Sequence, residues 1–196
     1  MGMQLHELHP SLIHLPLGVL PLAAGIDMAA ALSGDRTLDR TGRILWAAGT
    51  AGGLLAGAAG LAATQEVKVT DKNVNDAMLV HGLGNTVITV GALVLTAWRR
   101  RHPPSVLSAL VGLGAIGAAL YTAYLGGELV YARGVGVRRM AAAQGEGVRE
   151  SVDVLSRRAP GKFLRDVAGG LGWALRETRK YLSGEDRMSP RALTIG

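Results

Sequence analysis

No cysteine occurs anywhere in the chain. Disulfides, thiolate zinc sites, iron–sulfur ligation by this chain and a cysteine nucleophile are thereby excluded, since each needs a thiol or its oxidised form. The phosphate-cradling glycine loop with its lysine, the serine–histidine–acid set and the two-histidine helix of metalloproteases are also missing. No enzyme class is indicated by motif. The N-terminus has no basic n-region and no small-residue cleavage site, so the first apolar run is expected to be a retained span. The second and fourth long apolar runs carry no polar stripe, which argues against a water-soluble bundle. No internal repeat stands out beyond two helical hairpins, whose sequences are not visibly alike.

What the chain does hold is small and apolar. Of its 196 residues 48% are hydrophobic and 28 are glycine, a mixture that suits closely packed membrane helices. Four runs, Ser11–Leu32, Gly42–Ala63, Ala77–Trp98 and Ser105–Tyr131, are long enough for a hydrocarbon core, which takes about 20 helical residues. The connections Ser33–Thr41, Thr64–Asp76 and Arg99–Pro104 are polar, and the last admits only an antiparallel helical hairpin. The expected fold is all-α: a four-helix transmembrane bundle over residues 1–138, followed by a polar tail over 139–196. Within the tail, Val148–Ser156 is expected to form a short helix. Lys162–Leu182 places Leu164, Val167, Leu171, Ala174, Leu175, Thr178 and Leu182 near one face, with Lys162, Arg165, Arg176, Arg179 and Lys180 largely elsewhere. That is a basic amphipathic helix, suited to a membrane surface or another subunit through Leu171 and Leu175. Gly169, Gly170 and Gly172 weaken it as a free helix and favour a form stabilised by contact.

The net charge is +6, and the basic residues flank apolar spans or lie in the tail. Anionic lipid headgroups or partner subunits fit that distribution better than nucleic acid. Arg36, Arg40 and Arg43 follow the first run, and Arg99, Arg100 and Arg101 follow the third, whereas the middle connection has Lys68 and Lys72 offset by acids. Positive-inside counting places this multi-pass chain in a cell membrane with both termini outside the cytoplasm, although Arg133, Arg138 and Arg139 pull the other way. Trp46 and Trp98 sit on the arginine-rich side, where interfacial aromatics belong. Gly49, Gly53 and Gly57 form overlapping small-xxx-small pairs for close helix packing, or glycine walls for a flat cofactor. For Asp27, inside the first run, an ionic partner such as Arg43 is expected.

The histidines carry the candidate site. His9 and His14 begin the first helix, and His81 lies about a turn into the third, on the same membrane side because two crossings separate them. Glu128 and Tyr131 end the fourth helix on that side as well. Three imidazoles, a carboxylate and a phenol thus converge on one face. Two histidines from neighbouring helices suffice for haem ligation, with His14 and His81 the better pair by depth. Asn85 shares a helix face with His81 and is placed to touch a ligand or orient a neighbour. His9, His14, His81 and Glu128 together also make an acceptable set for another metal. The bland alternative is buried histidines bonded to carbonyls freed by Pro16 and the glycine-rich turns. All three readings stay open on the residues alone.

The motifs His9-Pro10…His14-Leu15-Pro16, His81-Gly82 and Gly126-Gly127-Glu128-Leu129-Val130-Tyr131…Gly134-Val135-Gly136-Val137 resemble a known family over about residues 6–138. It is the family of predicted four-helix membrane proteins called domain of unknown function 2231. Some members are joined to a Rieske iron–sulfur domain, so the resemblance implies a redox setting and makes b-type haem a candidate cofactor. This cysteine-free chain carries no Rieske cluster, and its tail falls outside the likeness. Two functions compete on this reading. One is an accessory membrane subunit of a larger redox or energy-transducing complex, packing through its glycine faces and basic tail helix. The other is an electron-transfer protein with bis-histidine haem.

Overall fold

The computed structural model describes residues 2–136, 147–148 and 151–192. A 3-10 turn, Leu5–Glu7, leads into α1 (Leu8–Leu12), a break at Ile13, and α2 (His14–Ser33). Then come α3 (Arg36–Glu66), α4 (Lys72–Arg99), α5 (Val106–Tyr131) and, in the tail, α6 (Ala159–Leu182). Four stretches, Leu5–Ser33, α3, α4 and α5, are long and apolar enough to cross a membrane. The all-α bundle expected from the sequence is present.

The helices overrun their apolar stretches because the caps lie inside the polar connections. Asp35 Oδ1 accepts from the backbone N–H of Thr37 (2.6 Å) and Leu38 (3.1 Å), starting α3 six residues before the expected span. Asp71 does the same for Asn73 at 2.8 Å, and Ser105 Oγ for Ser108 at 3.1 Å. Gly34 closes α2 in the left-handed region, with φ +69°. Pro16 falls in the first turn of α2, where no helical donor is lost, whereas Pro21 lies inside that helix.

The chain divides into two compact units. The first comprises Pro10–Ala56 and Gly84–Thr122. Within it α2 and α3 run antiparallel at close approach: a Cβ on Gly49 would stand 2.6 Å from Leu20, and one on Gly52 2.9 Å from Leu15. Those glycines are spacers between helices, the packing sense of the small-residue pattern. The core here is Ala23, Ala24, Trp46 and Ala92, with Leu20, Leu45, Leu95 and Ile116 against it.

The second unit comprises Met1–His9, Gly57–Leu83 and Ala123–Gly196. Its apolar centre is Val74, Ala77, Leu129 and Ala192. A two-residue strand, β1 (Val67–Lys68), pairs antiparallel with β2 (Gly147–Val148), with Val67 opposite Val148. Leu5 N–H donates to Val152 O at 3.0 Å and Val154 N–H to Met3 O at 2.8 Å. These pairings correct the short helix expected over Val148–Ser156. Its described residues form a strand, a bridge from Asp153 to Gln4, and a turn. A helix that short is marginal alone, and here the N-terminal segment supplies the backbone partners instead.

Candidate functional site

In the second unit, the imidazoles of His9 and His81 face each other with ring centres 6.1 Å apart and planes at 85°. A Cβ on Gly60 would come within 3.0 Å of His9 Nδ1, and one on Gly126 within 2.8 Å of His81 Cε1. Each ring therefore lies flush on a helix at a point only glycine leaves open. Glu128 lies with Tyr124, Gly127, Tyr131 and Ala132 along a shallow open groove, and the Tyr131 side chain is exposed.

His14 belongs to the other unit, where it is exposed and its Nδ1 lies 3.2 Å from the Ser11 carbonyl of the preceding helix α1. Asn85, also in that unit, accepts at Oδ1 from the Thr122 hydroxyl at 3.1 Å, joining α4 to α5. Among the described residues no group of three or more His, Asp or Glu side chains is arranged to hold a metal ion.

Two buried ionic clusters were largely missed by sequence reasoning. In the first unit Arg99 is fully buried, and its Nε and Nη2 donate to Asp27 Oδ2 (2.7 Å) and Oδ1 (3.0 Å). The fork is bidentate, the geometry a carboxylate matches best. Nη2 also donates to Asp39 Oδ1 at 2.7 Å, and Arg43 takes the other Asp39 oxygen at 2.9 Å. Asp27 thus pairs with Arg99 rather than Arg43, which correction follows from reach: Arg43 sits on the same helix as Asp39, one turn on. Trp46 Nε1 donates to Asp27 Oδ2 at 2.9 Å. With its N–H satisfied there, Trp46 is buried in the core and not at a lipid-facing surface. Trp98 is exposed and stacks on His102 at 3.7 Å.

In the second unit the buried Glu66 accepts at Oε1 from Lys162 Nζ (2.7 Å) and at Oε2 from Ser151 Oγ (2.7 Å). His6 Nδ1 lies 3.0 Å from Ser151 Oγ and 3.5 Å from Glu66 Oε2. Lys162 also donates to Asp166. Burial pulls the Lys162 ammonium down, but its bonds to Asp166 and Glu66 outweigh this and hold it above its ordinary value. Nearby, fully buried Asp76 accepts from the Tyr181 hydroxyl and from Ser189 N–H (2.8 Å). Lys72 bridges Asp76 (3.2 Å) and Asp186 (2.9 Å). The hydrogen bond from Lys72 holds the Asp186 carboxyl below its ordinary range, while burial and Asp76 push the Tyr181 hydroxyl up. The available signal for both clusters was an acid or base near each helix end, but pairing them required the fold.

The tail helix meets this unit through its glycines. A Cβ on Gly170 would fall 2.1 Å from the Leu61 carbonyl oxygen, and one on Gly169 3.1 Å from Gln65. Leu164, Leu171, Leu175 and Leu182 stay exposed.

Four long helices, each with an apolar stretch of spanning length and exposing leucine and valine along it, define a multi-pass membrane protein. The family model for the predicted membrane protein DUF2231 matches residues 5–139, and the chain belongs to that family. The match ends before α6. No curated protein and no solved structure matches the chain.

Proposed function

We propose that this chain is a non-catalytic accessory subunit of a larger redox or energy-transducing membrane complex, held there by helix–helix contacts within the bilayer. The observation carrying this is the outer face of α5. Leu107, Val111, Gly114, Ala118 and Tyr121 recur at helical spacing and are all exposed. A Cβ on Gly114 would meet nothing within 4 Å, so this glycine is not a spacer for the chain's own helices. Gly114-xxx-Ala118 is instead a flat small-residue notch of the kind by which membrane helices approach one another. Gly18 and Gly25 on α2 are equally open. Affinity purification of the tagged chain from its native membranes in mild detergent should bring other subunits with it. Gly114→Leu with Ala118→Leu should release them while leaving the chain folded. A parent protein that elutes alone would sink this reading.

A second reading, a two-imidazole ligand pair for haem iron or another metal, is favoured by His9 and His81 rather than by His14. Imidazole nitrogens bind a metal at about 2 Å, which puts the centres of two rings sharing one ion about 6 Å apart, and His9 and His81 stand at 6.1 Å. An absorption spectrum of the dithionite-reduced protein, with and without His81→Ala, tests it. Sharp low-spin bands lost in the variant are its expected outcome.

For orientation the proposal keeps the termini outside the cytoplasm. Single cysteines at Thr37 and Ser189 should label oppositely with an impermeant thiol reagent, and outside labelling of position 37 would reverse it.

A further inference from the structure

The leucine face of α6 has no partner within the chain, and its surroundings say what covers it. At about 100° per residue, Leu164, Leu171, Leu175 and Leu182 fall within about 40° of arc, and all four are exposed. Lys162, Asp166 and Gly169 lie on the opposite side, and Gly170 and Tyr181 about 100–120° from the leucines toward the valine flank; together they make the bonds and close approaches that dock the helix. Arg165, Arg176 and Arg179 occupy one flank, about 60–120° from the leucines; all are exposed, and none has a carboxylate partner among the described residues. Val167, Ala174 and Thr178 occupy the other flank.

The docking contacts also set depth and tilt. Leu61 precedes the last residue of α3 by five positions, about 7.5 Å of helix, and Gly170 lies against it. So α6 lies beside the final turns of a spanning helix, not on top of them. Leu61 also lies two residues, about 3 Å, inside the end of the apolar run Gly42–Ala63, the level of the headgroup–acyl boundary at which interfacial helices lie. Gly169 and Lys162, nearer the arginine flank, meet Gln65 and Glu66 at the helix end. Gly170, nearer the valine and alanine flank, meets the deeper Leu61. The arginines therefore face the aqueous side and the small apolar residues face the hydrocarbon, with the leucines pointing laterally into lipid.

We infer that α6 is an in-plane interfacial helix whose Leu164–Leu171–Leu175–Leu182 face enters the bilayer while Arg165, Arg176 and Arg179 bind the phosphates of anionic lipid headgroups. This rests on membrane residence alone and is independent of the accessory-subunit reading.

The absence of native cysteine makes the test direct. Single cysteines replacing Leu171 or Leu175 in the full chain carry an environment-sensitive fluorophore. The protein is reconstituted in phosphatidylcholine vesicles with or without phosphatidylglycerol. Shallow doxyl lipids should quench both labels, more strongly with phosphatidylglycerol, and iodide in the aqueous phase should not. Replacing the three arginines with glutamine should abolish the phosphatidylglycerol dependence, about fivefold in lipid partitioning per arginine, and lysine at those positions should restore it. Unchanged tail proteolysis would confirm that the glutamine variant remains docked; a released tail transfers the test to single Arg176→Gln. Iodide quenching of position 175 in both vesicle types, or doxyl quenching indifferent to phosphatidylglycerol, overturns the inference.

Discussion

Each of the two compact units buries one base between two acids, and the choice of base separates them. Arg99 sits between Asp27 and Asp39 in the first, and Lys162 between Glu66 and Asp166 in the second. A guanidinium is planar, binds a carboxylate with two parallel bonds and does not lose its proton at accessible pH. Its side chain is 0% exposed, so all three charges depend on one another. The ammonium of Lys162 is a point charge on a flexible stem, 16% exposed. The first cluster ties α2, α3 and α4 together inside the family-matched region, whereas the second ties a spanning helix to a tail beyond it. A fully buried staple and a partly exposed latch are built from the same charge pattern.

The largest effect that would break this comparison is Arg99→Leu. It leaves the buried Asp27 carboxylate with the Trp46 N–H but no cationic partner, and removing one partner of a buried ion pair costs about 3–5 kcal/mol. Thermal unfolding in detergent should shift down strongly, with partial recovery when Asp27→Leu is added. A single variant that melts like the parent would deny Arg99 a stapling role.

Gly170→Val comes next. Its side chain would meet the Leu61 backbone, which cannot move aside as a side chain can. Limited proteolysis should cut between α5 and α6 much faster, with the melting of the spans little changed. Lys162→Met should act in the same place with a smaller effect, about 2 kcal/mol, since water reaches the ammonium and part of the pair's worth is screened. Equal protease resistance in both variants would mean the tail is held by something other than this face.

The smallest effect is on pH. Asp186 has a lowered carboxyl, so its contribution is complete above its ordinary value of 3.8 and is lost as pH falls through the lower folded value. Lys162 is raised, so its contribution is complete below 10.5 and is lost as pH climbs through the higher folded value. Fluorescence anisotropy of a label at position 175 should therefore be flat from about pH 5 to 9 and fall at both extremes. Anisotropy changing near neutrality would place another titrating group in control of the latch.

Much of the fold was legible because a spanning helix must satisfy its own backbone, so apolar length alone announces it. The caps at Asp35 and Asp71 are equally present in the sequence, but apolar length marks only the spanning part of a helix, and α3 and α4 begin several residues before it. At the site, His9 and His81 meet, an approach that depth along a helix does not announce, because depth is silent about the direction a side chain takes around the axis. Trp46 has the same history: its position at a span's end suggested lipid, and the neighbouring Asp27 gave its N–H a buried partner instead.

Composition and spacing by themselves determined the spans, the basic amphipathic helix and its need for a contact, since each follows from period and length within one segment. Tertiary structure alone decided which acid met which base, which glycines became spacers, and which face of α6 turned outward. Those outcomes depend on rotation about helix axes and on residues brought together from distant parts of the chain. Leu61 and Gly170 are the clearest case: the glycine signals a contact without naming its partner, Leu61 does not mark itself in the sequence, and the close approach of their backbones sets where the tail lies.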